Sequence, residues 1–168
     1  LSSFSSPSNS GFGCGWDGTN LLSGDSGTDL FYQHTGFSTT ISNSIATPAG
    51  AAVGIEWDGT NLLNGDSIAA KIYKNSGFIT TILDSCAVTG GATGIGWDGE
   101  NVLGTNFVWD KVYKYSGFSS TIINSFSSPS ADISGITDIR ASEPPNWINY
   151  SAPTVQTWRY VQIREINS

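Results

Sequence analysis

Three stretches that align without gaps decide the fold: GCGWDGTNLLSGDSGTDLFYQHTGFSTTISNSI from Gly13 to Ile45, GIEWDGTNLLNGDSIAAKIYKNSGFITTILDSC from Gly54 to Cys86, and GIGWDGENVLGTNFVWDKVYKYSGFSSTIINSF from Gly94 to Phe126. Trp16, Trp57 and Trp97 stand 41 and 40 residues apart, and the pairs Gly36-Phe37, Gly77-Phe78 and Gly117-Phe118 each begin 20 residues after their tryptophan. A period of about 40 residues marks a repeat architecture, in which a unit buries its apolar face only by packing on a neighbour.

Inside each unit apolar and polar residues alternate with period two, and glycine-rich or Asp-Gly breaks interrupt the alternation about every eight to twelve residues, which is the pattern of short antiparallel strands joined by hairpins. Four strands fit one unit. The first ends at the tryptophan, and Asp17-Gly18, Asp58-Gly59 and Asp98-Gly99 supply the turn chemistry that follows it. The second starts at Asn20-Leu21-Leu22, the third holds Phe31-Tyr32 and stops at the Gly-Phe pair, and the fourth covers residues 40–45, with the corresponding residues in the other copies.

The two chain ends complement each other. Ser3-Phe4-Ser5-Ser6-Pro7-Ser8 repeats Ser125-Phe126-Ser127-Ser128-Pro129-Ser130 letter for letter, so residues 1–10 read as the fourth strand of a unit whose first three strands lie elsewhere. Gly135-Ile136-Thr137-Asp138 falls in the register of Gly54-Ile55-Glu56-Trp57, and two strand-like runs follow, 146–151 and 157–166. The expected organisation is a single domain: strand 1–10, repeats 11–50, 51–91 and 92–131, and a divergent unit 132–168 that the N-terminal strand completes. The missing W-D-G turn and Pro144-Pro145 leave open that 132–168 is a separate hairpin or arm.

The motifs G-I-x-W-D-G-T-N-L, D-K-I-Y-K-Y-S-G-F and T-I-x-x-S-F-S-S-P-S resemble β-propeller blades of the extracellular and phage type, over roughly Leu1 to Ile133. The resemblance implies an all-β propeller of about four four-stranded blades, the last divergent and closed by the N-terminal strand; a β-trefoil or an open, oligomer-completed array are the alternatives. Radial repetition is one way to limit exposed sheet edges. The run from Asn146 to Arg164 is also similar to the closing strands of β-sandwich modules in phage tail proteins.

Composition narrows the function. Of 168 residues only 12% are charged, about half the usual quarter, and polarity is carried by Ser, Thr, Asn and Gly. The net charge of −7 comes without any cluster of Lys or Arg, so nucleic acid and anionic membrane are not expected partners. No apolar run reaches the roughly 18 residues of a spanning helix, so membrane insertion is not expected. The first residue is Leu1, which suits a chain processed or trimmed from a longer product.

Repetition also weighs each candidate for chemistry, because a residue present in every unit is first explained by the fold. Asp17, Asp58 and Asp98 precede glycine in turns and are assigned a structural role with Trp16, Trp57 and Trp97. Asp25, Asp29 and Asp66 match no calcium loop. Cys14 and Cys86 replace apolar residues and are expected as buried thiols, and His34, at a variable position, as an exposed loop residue. One histidine and scattered glutamates assemble neither a Ser-His-Asp triad nor a glycosidase pair, so no enzyme activity, cofactor or metal is expected. Trp109, Tyr115, Trp147, Tyr150 and Trp158 do not recur and are the candidate binding or interface residues. The expectation is an extracellular or virion-surface structural module that self-associates into a homo-oligomer or filament; the alternative is a lectin-like propeller that binds cell-surface glycans.

Overall fold

The computed structural model describes residues 3–128, Ile133, Gly135 and Ile136, and no helix occurs among them. They form three separate four-stranded antiparallel sheets, one per repeat, in which the strands follow sequence order from the inside out. The first blade comprises β1 (Gly11–Trp16), β2 (Leu21–Asp25), β3 (Leu30–His34) and β4 (Ile41–Ala46); the second, β5 (Ala52–Trp57), β6 (Leu62–Asp66), β7 (Lys71–Asn75) and β8 (Ile82–Ala87). The third holds β9 (Gly94–Trp97), β10 (Val102–Asn106), β11 (Lys111–Tyr115) and β12 (Ile122–Ser127). These are blades of a β-propeller, and separate sheets rule out the trefoil.

Each blade closes on itself through the same turn device. Asp17 Oδ1 accepts hydrogen bonds from the Thr19 and Asn20 amides at 2.8 and 2.7 Å, and Asp58 and Asp98 do the same for the two amides that follow their glycines. Gly18, Gly59 and Gly99 sit at φ near 100°, a left-handed conformation that a side chain would resist. The hairpin after the third strand is tied back by Asn20 and Asn101, whose Oδ1 atoms accept the Gly36 and Gly117 amides at 3.1 and 2.9 Å. Both ties lie at one end of the blade.

The core lies between blades. Directly opposed residues share a sheet face, so Leu22, Phe31 and Ile45 point from the first blade to the second, where Ile55, Leu62, Phe78 and Trp57 meet them. Leu63, Ile72 and Cys86 repeat this contact against Ile95, Val102, Tyr113 and Tyr115 of the third blade, with Trp97 and Phe118 at the margin. Each fully buried aliphatic or aromatic side chain contributes roughly 1.5–3 kcal/mol. Nearest the centre the inner strands approach so closely that only glycine fits. A Cβ on Gly13 would stand 2.9 Å from the Ile55 nitrogen, and one on Gly54 would stand 2.9 Å from that of Ile95.

Four expectations are corrected here. His34 is 1% exposed and not a loop residue, because β3 turns it onto the blade face. Tyr115, expected at an interface, holds the equivalent position in the third blade and is 1% exposed in the core between blades two and three. Cys14 is exposed and not buried, because β1 belongs to the first blade of the row. For the same reason Trp16 stays 48% exposed while Trp57 and Trp97 pack against the clusters.

Candidate functional site

Residues that differ between repeats are found on the face buried between blades, in the loops at the two ends and on the exposed outer strands. On the buried face, diagonal pairs from the second and third strands compensate one another. Ser23 Oγ and His34 Nε2 are hydrogen-bonded at 2.9 Å; Asn64 Nδ2 donates to Asn75 Oδ1 at 2.7 Å; Gly104 leaves room for Tyr115, whose Cε2 would stand 3.3 Å from a Cβ at that glycine. A large residue on β11 thus faces a vacancy on β10. Tyr115 uses its hydroxyl to accept the Thr89 amide at 3.2 Å, while Asn75 Nδ2 donates to the Ile79 carbonyl at 2.8 Å.

Ser23 and His34 have the reach of a nucleophile and its base. Burial lowers the imidazole pKa, opposed by the backbone of Ser38. The Phe4 ring lies 5.4 Å from it, centroid to centroid, and the same space is filled by amides in the second blade and by a tyrosine in the third. That equivalence identifies the pair as packing. His34 escaped the sequence reading because its repeat partners, Asn75 and Tyr115, share no chemistry; what they share is a buried position.

The turn aspartates combine their backbone bonds with one side-chain partner each: Gln33 Nε2 donates to Asp17 at 2.6 Å, and Lys74 and Lys114 form ion pairs with Asp58 and Asp98 at 2.8 and 2.6 Å. Burial opposes ionisation of all three, but the hydrogen bonds outweigh it and hold each carboxyl below its usual range. Lys74 also stands 5.9 Å above the Trp97 ring of the next blade.

Asp25 and Asp66 serve the opposite end. Asp25 Oδ1 accepts from the Gly27 and Thr28 amides and from Ser8 Oγ; Asp66 accepts from the Ala49 and Ala69 amides. Asn106 does this work in the third blade, accepting from the Val108 and Trp109 amides at 2.9 and 3.0 Å. Among the described residues no three His, Cys, Asp or Glu side chains come together as a metal site. Burial, with Asp84 adding to it, pushes the Cys86 thiol up to about 11, so Cys86 is an unreactive core residue.

The loop that Asn106 staples carries an exposed apolar run. Phe107, Val108 and Trp109 are all exposed in succession, where the first blade has Ser26-Gly27-Thr28. Trp109 was legible in the sequence as a non-recurring aromatic; its two apolar neighbours were missed, although three large residues in a turn were the available signal. Trp147, Tyr150 and Trp158 lie outside the described residues.

No protein-family model matches the chain, and no curated protein matches it. Solved structures do. Myxococcus xanthus glutaminyl cyclase is 14% identical with a TM-score of 0.60, the match covering 76% of this chain and 62% of that one. Kuenenia stuttgartiensis hydrazine synthase is 10% identical with a TM-score of 0.59, over 80% and 40% of the two chains. BamB from Moraxella catarrhalis is 9% identical with a TM-score of 0.51, over 70% and 37%. The chain therefore spans less than two thirds of each, and the likeness is one of propeller fold. The expectation that the protein is not an enzyme is corrected by this comparison: the same sheet arrangement occurs in a glutaminyl cyclase, so the fold gives no ground for excluding catalysis.

Proposed function

We propose that this propeller is a structural module, extracellular or carried on a virion, that assembles with copies of itself into an oligomer or filament. The observation that carries the reading is the run of three consecutive exposed apolar side chains Phe107-Val108-Trp109, on a turn that Asn106 holds through the Val108 and Trp109 amides. Adjacent exposed aromatic and aliphatic side chains on a fixed loop suit a protein contact, because their desolvation stabilises association at little cost in side-chain entropy. Exposed outer strands add to it: β4, β8 and β12 read ISNSIA, ILDSCA and IINSFS, with Asp84 as their only charge and without the lysines that commonly guard an edge.

The glycan alternative draws less from the repeats. Asn20 and Asn101, the polar side chains that recur at the turns, already engage the backbone of the neighbouring hairpin. Light scattering across a range of protein concentration tests the reading. A discrete oligomer or filament that Trp109→Ala with Phe107→Ser disperses is the expected result; a monomer at every concentration overturns it.

A further inference from the structure

Two short segments outside the three sheets occupy places that the internal joints define. The first is residues 3–10. Phe4 packs on Phe37 and His34 at 5.0 and 5.4 Å between ring centroids, as Ile45 packs in one cluster with Phe78 and as Cys86 packs with Tyr115 and Phe118. Ser8 Oγ donates to Asp25 at 2.6 Å where the Ala49 amide, 41 residues on, donates to Asp66 at 2.7 Å. The Ser26 amide donates to the Ser10 carbonyl at 3.1 Å, and the Ser67 amide to that of Ala51 at 3.4 Å. Residues 3–10 therefore stand on the first blade as the outer strand of a preceding blade stands on its neighbour.

The second is Gly135-Ile136. A Cβ on Gly94 would lie 3.0 Å from the Ile136 nitrogen and 3.1 Å from the Gly135 Cα, which reproduces the contacts of Gly13 with Gly54-Ile55 and of Gly54 with Gly94-Ile95. Gly135-Ile136 stands where the inner strand of a following blade begins. Between these two segments one joint is incomplete: Ile45 and Cys86 are each 5% exposed against the next blade, but Phe126, the same position in β12, is 61% exposed.

We propose that residues 137–168 dock on the Phe126 face and supply the middle strands of a fourth blade, whose inner strand begins at Gly135 and whose outer strand is residues 3–10 of the same chain. The 32 residues suffice, since the second and third strands of a described blade, with their turns, occupy fewer than 25. The blade is composite, so a chain that closes it on itself is a monomeric ring, and the apolar loop at Phe107–Trp109 remains free for assembly.

Residues 3–10 form no ladder with the described strands. The amide protons of residues 3–6 are therefore the reporter, because a partner strand within the fourth blade would protect them. Hydrogen exchange on the full chain, at a concentration where light scattering shows a monomer, is expected to slow the amides of residues 3–6 by about a hundredfold or more over an unstructured peptide. Phe126→Ser is expected to lower Tm by about 10 °C, as a buried aromatic would. Free exchange at residues 3–6, protection that appears only in an oligomer, or an unchanged Tm in Phe126→Ser each overturns the proposal; protection limited to the oligomer would mean that a second copy supplies the strands. Self-association itself is read separately, so a failed ring and a failed assembly are told apart.

Discussion

The turn end of the blades and the layer between blades follow opposite rules. At the turns the three repeats agree almost atom for atom: the same aspartate, the same pair of amides, the same left-handed glycine. In the layer between blades no two joints use the same chemistry, with serine and histidine in the first, two amides in the second, glycine and tyrosine in the third. A turn is closed by its own few residues and is copied with the repeat. On the buried face a residue on the third strand can change if its diagonal neighbour on the second strand of the same blade compensates.

The largest effect is expected where the layer is most individual. Tyr115→Ala should cost about 3–5 kcal/mol in urea unfolding, and a cost under about 1 kcal/mol would show that this position is not core after all. Moving the third blade's solution into the second sharpens the comparison further: Asn75→Tyr alone should destabilise by about 1–3 kcal/mol through overpacking, and adding Asn64→Gly should recover part of it. Strict additivity of the two changes would deny the compensation.

A turn change should cost less. Asp58→Ala removes two backbone bonds and the Lys74 contact and is expected to cost about 1–2 kcal/mol. Because Asp17, Asp58 and Asp98 titrate below their unfolded range, the stability they provide is complete above about pH 4 and is lost progressively below it, as pH falls through the lower midpoints of the folded carboxyls. His34 has the same sign for a different reason: burial favours its neutral form, so its contribution is full above about pH 6.5 and declines as pH falls below that. An NMR titration of this single histidine measures it directly, and an unshifted midpoint would contradict its burial. The smallest effect belongs to Lys74→Ala, at most about 1 kcal/mol, since the Lys74 side chain is 26% exposed and water partly screens its ion pair.

These differences explain which residues were legible in advance. Strand boundaries and hairpin aspartates followed from spacing, because period-two alternation and Asp-Gly turns are local properties, while the propeller class came from the resemblance of the repeated motifs to propeller blades. His34, Tyr115, Cys14 and Trp16 were misplaced because their exposure depends on whether another blade lies beside them, which a single repeat does not encode. Asn106 standing in for Asp25 and Asp66 was likewise hidden, since the alignment shows different residues and only geometry shows the same loop being stapled.

By itself, the sequence determined the unit: four short strands, a fixed period, and turns whose chemistry closes them within about 40 residues. Only the tertiary structure decided what each face of a unit meets. Burial is a property of neighbours brought together by the fold, and so the partners of Phe4, the vacancy opposite Tyr115 and the exposure of Phe126 emerged only once the blades were set side by side.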